Sequence, residues 1–322
     1  MKIFSGSSNR DFSLKVATRL NRNLSKINIS KFADGEINIV IEETIRKQDC
    51  YVIQPTSPSE TNSVNDNIME LFIICDALKR GSANSVNVIM PYYGYQRQDR
   101  KDYSRAPISA KVIASCLESL HINRVIVFDL HAGQIQGFFS NQTPFDNLYV
   151  ESDFINYIRK HIKLENLIVI SPDEGGMKRA VRISNKLGVG SGTIYKERAE
   201  ANQIQNMSLM GNVKGKICVI VDDIIDTAGT CTKSSQLLTS NGAKEIYMFA
   251  CHGVFSGDAL KNIKESAFTK VIVTNTIDHT RHKKKIKELD LEDKIEILDV
   301  SWMCAEAIRS AHYGESLNLY DN

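Results

Sequence analysis

The 322-residue chain lacks an excess of either charge: 40 lysines and arginines stand against 38 acidic residues, a formal net charge of +2. A large uniform basic face for nucleic acid is therefore not indicated. It also lacks any CxxC pair. The cysteines lie scattered at 50, 75, 116, 218, 231, 251 and 304, so neither a zinc ribbon nor a disulfide framework is suggested. Cys75 and Cys218 sit inside apolar runs and are expected as small core residues in a reducing cytoplasm. No apolar run approaches a membrane span. The opening Met1-Lys2-Ile3-Phe4 turns polar over 5–10, so no signal peptide is expected. The sequence has no low-complexity linker.

Two nucleotide-binding signatures are missing as well. No GxxxxGK[ST] run exists, which argues against a Walker-type fold. Gly188, Gly190 and Gly192 are spaced like a dinucleotide loop but lead into Ile194 and Tyr195. That stretch reads as a strand rather than a helix and fails the context a dinucleotide fold requires.

What is present is an ordinary globular composition, 42% hydrophobic and 24% charged, with length for about two domains. Apolar periodicity predicts strands over 2–4, 37–41, 50–54, 86–90 and 124–130 in the first half. Helices are predicted over 11–20, 64–81 and 108–120 between them. The rhythm recurs later, with strands at 167–171, 193–195, 217–221, 245–251, 271–274 and 295–300. Helices are predicted there over 154–162, 177–187, 231–238 and 302–310. Strands alternating with helices indicate an α/β fold built on parallel sheets. The boundary is expected within 141–150, which gives domains of 1–147 and 148–322. The last helix is a candidate to pack back on the first domain.

The most informative stretch is 216–230. The apolar run 217–221 stops at Asp222 and Asp223, followed by Asp226, Thr227, Ala228, Gly229 and Thr230. A strand, an acidic edge, a loop of small residues and a helix make a place for an anion on backbone N–H groups. The carboxylates beside it suit a polyol or a metal. Two other strand ends carry similar chemistry: Asp129-Leu130-His131-Ala132-Gly133, and Asp173-Glu174-Gly175-Gly176. His131 and Asp173 suit a shared Mg²⁺, which keeps waters and bridges phosphates. The simpler reading of His131 is a hydrogen-bonded strand-end residue, and that of Gly175-Gly176 is a plain turn. Residues 92–102 mix aromatics with both charges, as a purine nucleotide site or an exposed loop would. Lys196-Glu197-Arg198 precedes a polar stretch, 199–206, and reads as a mobile cationic loop or a plain charged one.

Taken together, these segments resemble the ribose-phosphate pyrophosphokinase family, the synthetases of phosphoribosyl pyrophosphate (PRPP). The resemblance runs nearly the whole length. It rests on Phe32-Ala33-Asp34-Gly35-Glu36, on Pro91 to Arg100 with its Arg97-Gln98-Asp99, and on Asp129-Leu130-His131. Gln134-Ile135-Gln136-Gly137-Phe138-Phe139, Ser171-Pro172-Asp173, Lys196-Glu197-Arg198 and the run from Val221 to Thr230 complete it. Residues 101–111 resemble the phosphate-regulated, hexameric class. The resemblance implies two tandem phosphoribosyltransferase-type domains. It also implies transfer of the β,γ-diphosphoryl group of ATP to the C1 hydroxyl of ribose 5-phosphate.

On this resemblance Lys196 and Arg198 are catalytic. Phe32, Asp34, Gly35, Glu36, Arg97, Gln98, Asp99 and Asp102 bind ATP, at a site between subunits. Asp222 and Asp223 take the ribose hydroxyls, because ionised carboxylates only accept hydrogen bonds. Asp226, Thr227, Ala228, Gly229 and Thr230 hold the 5-phosphate. Mg²⁺ falls to His131 and Asp173, with Asp129 as a further candidate. A cytoplasmic homo-oligomer, hexameric and regulated by phosphate or a nucleoside diphosphate, is implied, with no nucleic-acid or membrane partner. Several positions depart from the family pattern. Residues 140–144 run longer, Ala228 replaces a frequent glycine, Thr44 and Arg46 fall near the regulatory phosphate site, and 279–285 is unusually basic. A solvated surface is expected for that basic run. A regulatory subunit would not need Lys196, Arg198 and His131. A salvage phosphoribosyltransferase would not need the segments at 32–36 and 97–98.

Overall fold

The computed structural model describes the backbone of residues 1–200 and 203–317 and the side chains of 1–195 and 207–317. The chain divides into two compact units. One holds Met1–Tyr149, Asn275–Arg281 and the segment from Asp299 through the last helix; the other holds Val150–Thr274 and His282–Leu298.

The first unit begins β1 (Lys2–Ser5), α1 (Arg10–Arg19), β2 (Ile27–Lys31), β3 (Ile37–Ile41) and β4 (Asp49–Ile53). It continues α2 (Val64–Arg80), β5 (Ser85–Met90), α3 (Ser109–Ser119), β6 (Arg124–Phe128) and β7 (Phe145–Leu148). Its main sheet runs β1-β4-β5-β6-β7, parallel throughout. Helix α2 starts at a capping box in which Ser63 and Asp66 bond each other's backbone N–H, which satisfies two donors of the first turn. Its Ile68, Leu71, Ile74, Cys75 and Leu78 recur at helical spacing and bury against the sheet.

Strands β2 and β3 form a separate antiparallel ribbon pairing Ile27 with Ile41 and Ile29 with Ile39. These isoleucines lean on the core of the unit, so the ribbon's tip, at 32–36, projects from a fixed base. Only β3 was expected. In β2, Ile27-Asn28-Ile29-Ser30-Lys31, two apolar residues are too few to establish a period of two. Strand β7 was also unexpected; the longer 140–144 stretch ends in it, with Val125 N–H bonded to Pro144 O at 3.0 Å.

The second unit comprises α4 (Glu151–His161), β8 (Leu167–Ser171), α5 (Met177–Leu187), β9 (Gly190–Glu200), β10 (Gln203–Met210) and β11 (Ile217–Ile225). It continues α6 (Gly229–Ser240), β12 (Glu245–Gly253), α7 (Ala259–Glu265), β13 (Lys270–Thr274), α8 (Lys283–Glu288) and β14 (Ile295–Leu298). Its sheet runs β10-β9-β8-β11-β12-β13-β14. Among the described residues of this sheet, only the β9–β10 pair is antiparallel. Strand β9 extends to Glu200, past the short strand expected at 193–195. Strand β11 runs to Ile225, so Asp222 and Asp223 lie within it and not beyond its end. Pairing explains the extension: Asp222 stays in register with Ala250, and Ile224 with His252, on the long neighbour β12.

The solvated surface expected at 279–285 holds for Lys283 and Lys284, which are exposed. His279 and His282 are instead buried, at 5% and 9% exposure. The His282 ring packs edge-on to Phe255 at 5.7 Å, and its Nε2 lies 3.2 Å from Val254 O.

Helix α9 (Ser301–Tyr313) belongs to the first unit and packs along α1. Arg19 donates to Ser301 Oγ at 2.9 Å and pairs with Asp299 at 3.1 Å. Asn275 donates to Asp299 Oδ1 at 2.8 Å, accepts from Val300 N–H at 2.9 Å, and takes the Asn9 amide on its carbonyl at 2.9 Å.

Candidate functional site

The densest chemistry in the second unit lies where β11 turns into α6. Asp223 N–H bonds Asp222 Oδ1 at 2.9 Å, which fixes one carboxylate over the backbone of the next residue. Arg179, from the first turn of α5, brings Nη1 to 3.4 Å from Asp223 and 3.7 Å from Asp222. One cation thus faces two carboxylates. Burial, and then the charge of Asp223, push the Asp222 carboxyl well above the ordinary carboxylate range, while Arg179 pulls it down. Such a pair is poised to accept two adjacent hydroxyls.

The loop after β11 is propped from below. Phe255 and Ser256 N–H groups bond Ile225 and Asp226 carbonyls at 3.2 and 3.0 Å. Asn262 donates to Thr227 O at 2.8 Å. Ala228, the N-cap of α6, stands at φ 59°, ψ 1°, and offers no side-chain cap. This left-handed conformation costs a residue with a Cβ about 1–2 kcal/mol. Helix geometry leaves the first N–H groups of α6 for an outside acceptor.

At the end of β8, Asp173 Oδ1 accepts Gly176 N–H at 3.1 Å. That N–H is engaged inside the turn, as the plain-turn reading of Gly175-Gly176 has it. A Cβ on Gly176 would lie 2.7 Å from Ser171 Oγ, so a side chain there would have to displace the hydroxyl that donates to Asp173 O.

In the first unit, the ribbon tip carries Phe32, Asp34, Gly35 and Glu36, all exposed. Gly35 has φ 95°, and its N–H bonds Phe32 O at 2.9 Å. Asp34 Oδ1 accepts Glu36 N–H at 3.1 Å. The turn leaves the Phe32 ring 55% exposed, an unusual place for a phenyl group and a platform for a flat ring. Segment 92–102 is anchored at Tyr93, whose hydroxyl bonds Ala110 O at 2.9 Å. Arg97 and Gln98 reach the surface, and Gln98 Oε1 accepts Ser109 Oγ–H at 2.6 Å. Asp102 pairs with Arg100 at 3.0 Å. Asp99 is buried and takes the Gln134 amide. Asp129, just past β6, is buried at φ 37°, and His131 beyond it is exposed.

The residues 1–120 match a family model described as the N-terminal domain of ribose phosphate pyrophosphokinase, and 198–320 match the phosphoribosyl synthetase-associated domain. The chain is 45% identical to ribose-phosphate pyrophosphokinase A of Dictyostelium discoideum over 318 residues, covering 99% of this chain and 96% of that one. It is 41% identical to ribose-phosphate pyrophosphokinase 2 of Schizosaccharomyces pombe, with the same coverage. The chain belongs to the ribose-phosphate pyrophosphokinase family. The phosphoribosylpyrophosphate synthetase of Mycobacterium smegmatis shares the fold, with a TM-score of 0.88 at 34% identity, covering 97% of this chain and 99% of that one.

Within this pyrophosphokinase fold, the expected sugar-phosphate residues follow one another along the chain: Asp222 and Asp223 in the last part of β11, Asp226, Thr227 and Ala228 in the turn, and Gly229 and Thr230 in the first turn of α6. The expected nucleotide residues of the first unit fall on two segments, the ribbon tip and the 97–102 stretch. His131 and Asp129 share the β6 turn, whereas Asp173 belongs to the second unit. Lys196 and Arg198 lie on β9, in register with Met207 and Ile204; their side chains fall outside the described residues. Among the described residues no three metal-ligating side chains cluster. Sequence reasoning missed Arg179, one of four cations on α5, because only the fold brings it to the carboxylate pair.

Proposed function

We propose that this chain is a ribose-phosphate diphosphokinase, transferring the β,γ-diphosphoryl group of ATP to ribose 5-phosphate. The observation that carries the reading is the β11–α6 turn, with its carboxylate pair and open helix N-terminus, inside a chain alike to pyrophosphokinases over nearly its full length. In this reading the first N–H groups of α6, with Thr227 and Thr230, hold the 5-phosphate. Asp222 and Asp223 accept the ribose hydroxyls and orient the C1 oxygen. That oxygen forms a bond to the β-phosphorus of ATP and gives up its proton. The bond between the β-phosphorus and the α–β bridging oxygen breaks, and AMP leaves with the electron pair.

Phe32 offers its face to the adenine, with Asp34, Gly35 and Glu36 about its sugar, and Arg97, Gln98, Asp99 and Asp102 line the nucleotide. Lys196 and Arg198 stabilise charge on the transferring group. His131 and Asp173 would hold Mg²⁺, with Asp129 as a further candidate ligand. When bound, the ion neutralises charge on the phosphates. Positioning and electrostatics supply most of the rate in such transfers.

We place the enzyme in the cytoplasm and read it as a hexamer that responds to phosphate or a nucleoside diphosphate. The 101–111 run supports the hexamer, and the projecting ribbon tip suits a nucleotide site completed by a second copy. Among the described residues no helix is long and apolar enough to cross a membrane. The deciding experiment incubates the protein with ATP, Mg²⁺ and ribose 5-phosphate and resolves the products. AMP together with PRPP is expected. ADP in place of AMP means ordinary γ-transfer and overturns the reading.

A further inference from the structure

The turn that carries Asp129 and His131 is held in an unusual way. Its successive N–H groups point to different acceptors. Asp129 N–H bonds Leu148 O at 2.8 Å, the expected continuation of the β6–β7 pairing. Leu130 N–H bonds the side-chain oxygen of Asn147 at 3.2 Å, and His131 N–H bonds the side-chain oxygen of Gln96 at 2.9 Å. Gln96 is 1% exposed and sits between Tyr95, at φ 65°, and Arg97. Its own N–H bonds Tyr93 O at 3.3 Å.

A backbone donor fixes which end of each carboxamide faces the turn. The oxygens accept, so the NH₂ groups point away. Both of those nitrogens, Gln96 Nε2 and Asn147 Nδ2, are buried without a hydrogen-bond partner among the described residues. An unsatisfied buried donor costs about 1–3 kcal/mol. Each amide therefore satisfies one donor and strands another, and the count of satisfied groups does not improve. What the arrangement does gain is position. The backbone of His131 is tied to the segment that presents Arg97 and Gln98, while Asp129 and Leu130 are held to β7. Asp99 repeats the link by accepting the Gln134 amide from the far side of the same turn.

We infer that Gln96 is a positioning residue that locks the His131 turn to the 97–99 segment, so that the metal-ligating imidazole and the nucleotide-contacting side chains keep one fixed separation. The inference rests on the reading of His131 as a metal ligand. Residues that orient a ligand without touching the metal commonly change its affinity about 10–100-fold when altered.

The test uses the full-length enzyme with Mn²⁺ in place of Mg²⁺ and a non-hydrolysable ATP analogue. Gln96→Met keeps the length of the side chain and removes the acceptor oxygen; Gln96→Glu keeps an acceptor. Pulsed electron paramagnetic resonance reads the ¹⁴N coupling of an imidazole to bound Mn²⁺, and titration gives the Mn²⁺ affinity. Hydrogen exchange reads the protection of the His131 amide. In Gln96→Met, Mn²⁺ affinity is expected to fall about tenfold, the ¹⁴N coupling to weaken, and the His131 amide to lose protection. Gln96→Glu is expected to restore that protection, and the KM for ribose 5-phosphate to stay unchanged in Gln96→Met. A folded Gln96→Met that binds Mn²⁺ as tightly as the parent, with the amide still protected, overturns the inference. His131→Ala separates the two readings. If it leaves the ¹⁴N signal and the affinity intact, the metal assignment is wrong and the inference falls with it. If it abolishes them while Gln96→Met does not, only the role of Gln96 fails.

Discussion

Asp222→Asn is expected to make the ligand-free protein more stable and the enzyme worse. The asparagine keeps an acceptor oxygen, so the bond from Asp223 N–H at 2.9 Å can persist. Arg179 loses its 3.7 Å contact with a charge and keeps the closer one, at 3.4 Å, to Asp223. The charge that burial and the neighbouring Asp223 both disfavour at residue 222 is gone. Relief of this kind at functional sites typically contributes about 0.5–2 kcal/mol. At about 1.5 °C per kcal/mol for a chain of this size, that is a rise of roughly 1–3 °C in melting temperature.

The sign with pH follows from the raised carboxyl. An acid whose folded pKa lies above its unfolded value favours the fold while protonated, and that contribution is lost as pH rises from 3.8 through the folded value. The gain from Asp222→Asn is therefore largest at pH 8 and shrinks as pH falls toward 4. Against this, one charged acceptor for a ribose hydroxyl is gone, about 1.5–3 kcal/mol, or roughly a 10–100-fold rise in the KM for ribose 5-phosphate. Calorimetry at pH 4 and 8, with initial rates against ribose 5-phosphate, checks both halves. A variant less stable than the parent at pH 8, or one with an unaltered KM and rate, refutes the account.

Other substitutions test separate parts of the reading. Lys196→Ala is expected to lower turnover by about 10²–10³ with ATP affinity nearly intact, since its contact is read as forming mainly in the transition state; rapid-quench measurement of the transfer step decides it, and unchanged turnover removes Lys196 from catalysis. Phe32→Ala removes a ring that is 55% exposed. Melting is therefore expected to stay within about 0.5 kcal/mol of the parent, while the KM for ATP rises by the roughly 1–3 kcal/mol of a base stack. Gly176→Ala places a methyl 2.7 Å from Ser171 Oγ and is expected to destabilise by about 1–3 kcal/mol, read by urea denaturation.

The main sheets were legible because their strands are continuous apolar runs, such as Val219 to Val221, which only a parallel sheet covered on both faces accommodates. What escaped notice was the antiparallel and edge structure. Strand β2 has too few apolar residues, and β9 is carried past Tyr195 by polar residues that pair with β10 through the backbone. Ladder bonds of that sort leave little trace in side-chain pattern. The strand, acidic edge and small-residue loop of 217–230 were legible from local order alone. Arg179, Gln96 and Asn147 did not, because their roles arise from contacts across the sequence. The buried histidines in the 279–285 run show the same limit: a basic string reads as surface until the fold turns individual rings inward.

The first unit depends on chain that is made last. Asn9 donates to the carbonyl of a residue 266 positions later, and Arg19 to a serine 282 positions later. At about 5–20 residues per second on the ribosome, the amino-terminal sheet waits tens of seconds for these partners, with the α1 face that meets α9 still bare. A fragment cut at residue 149 would keep that bare face permanently. Late truncations or a stalled message should thus damage the earliest-synthesised part of the molecule, and a chaperone that shields α1 would protect the nascent chain through that interval.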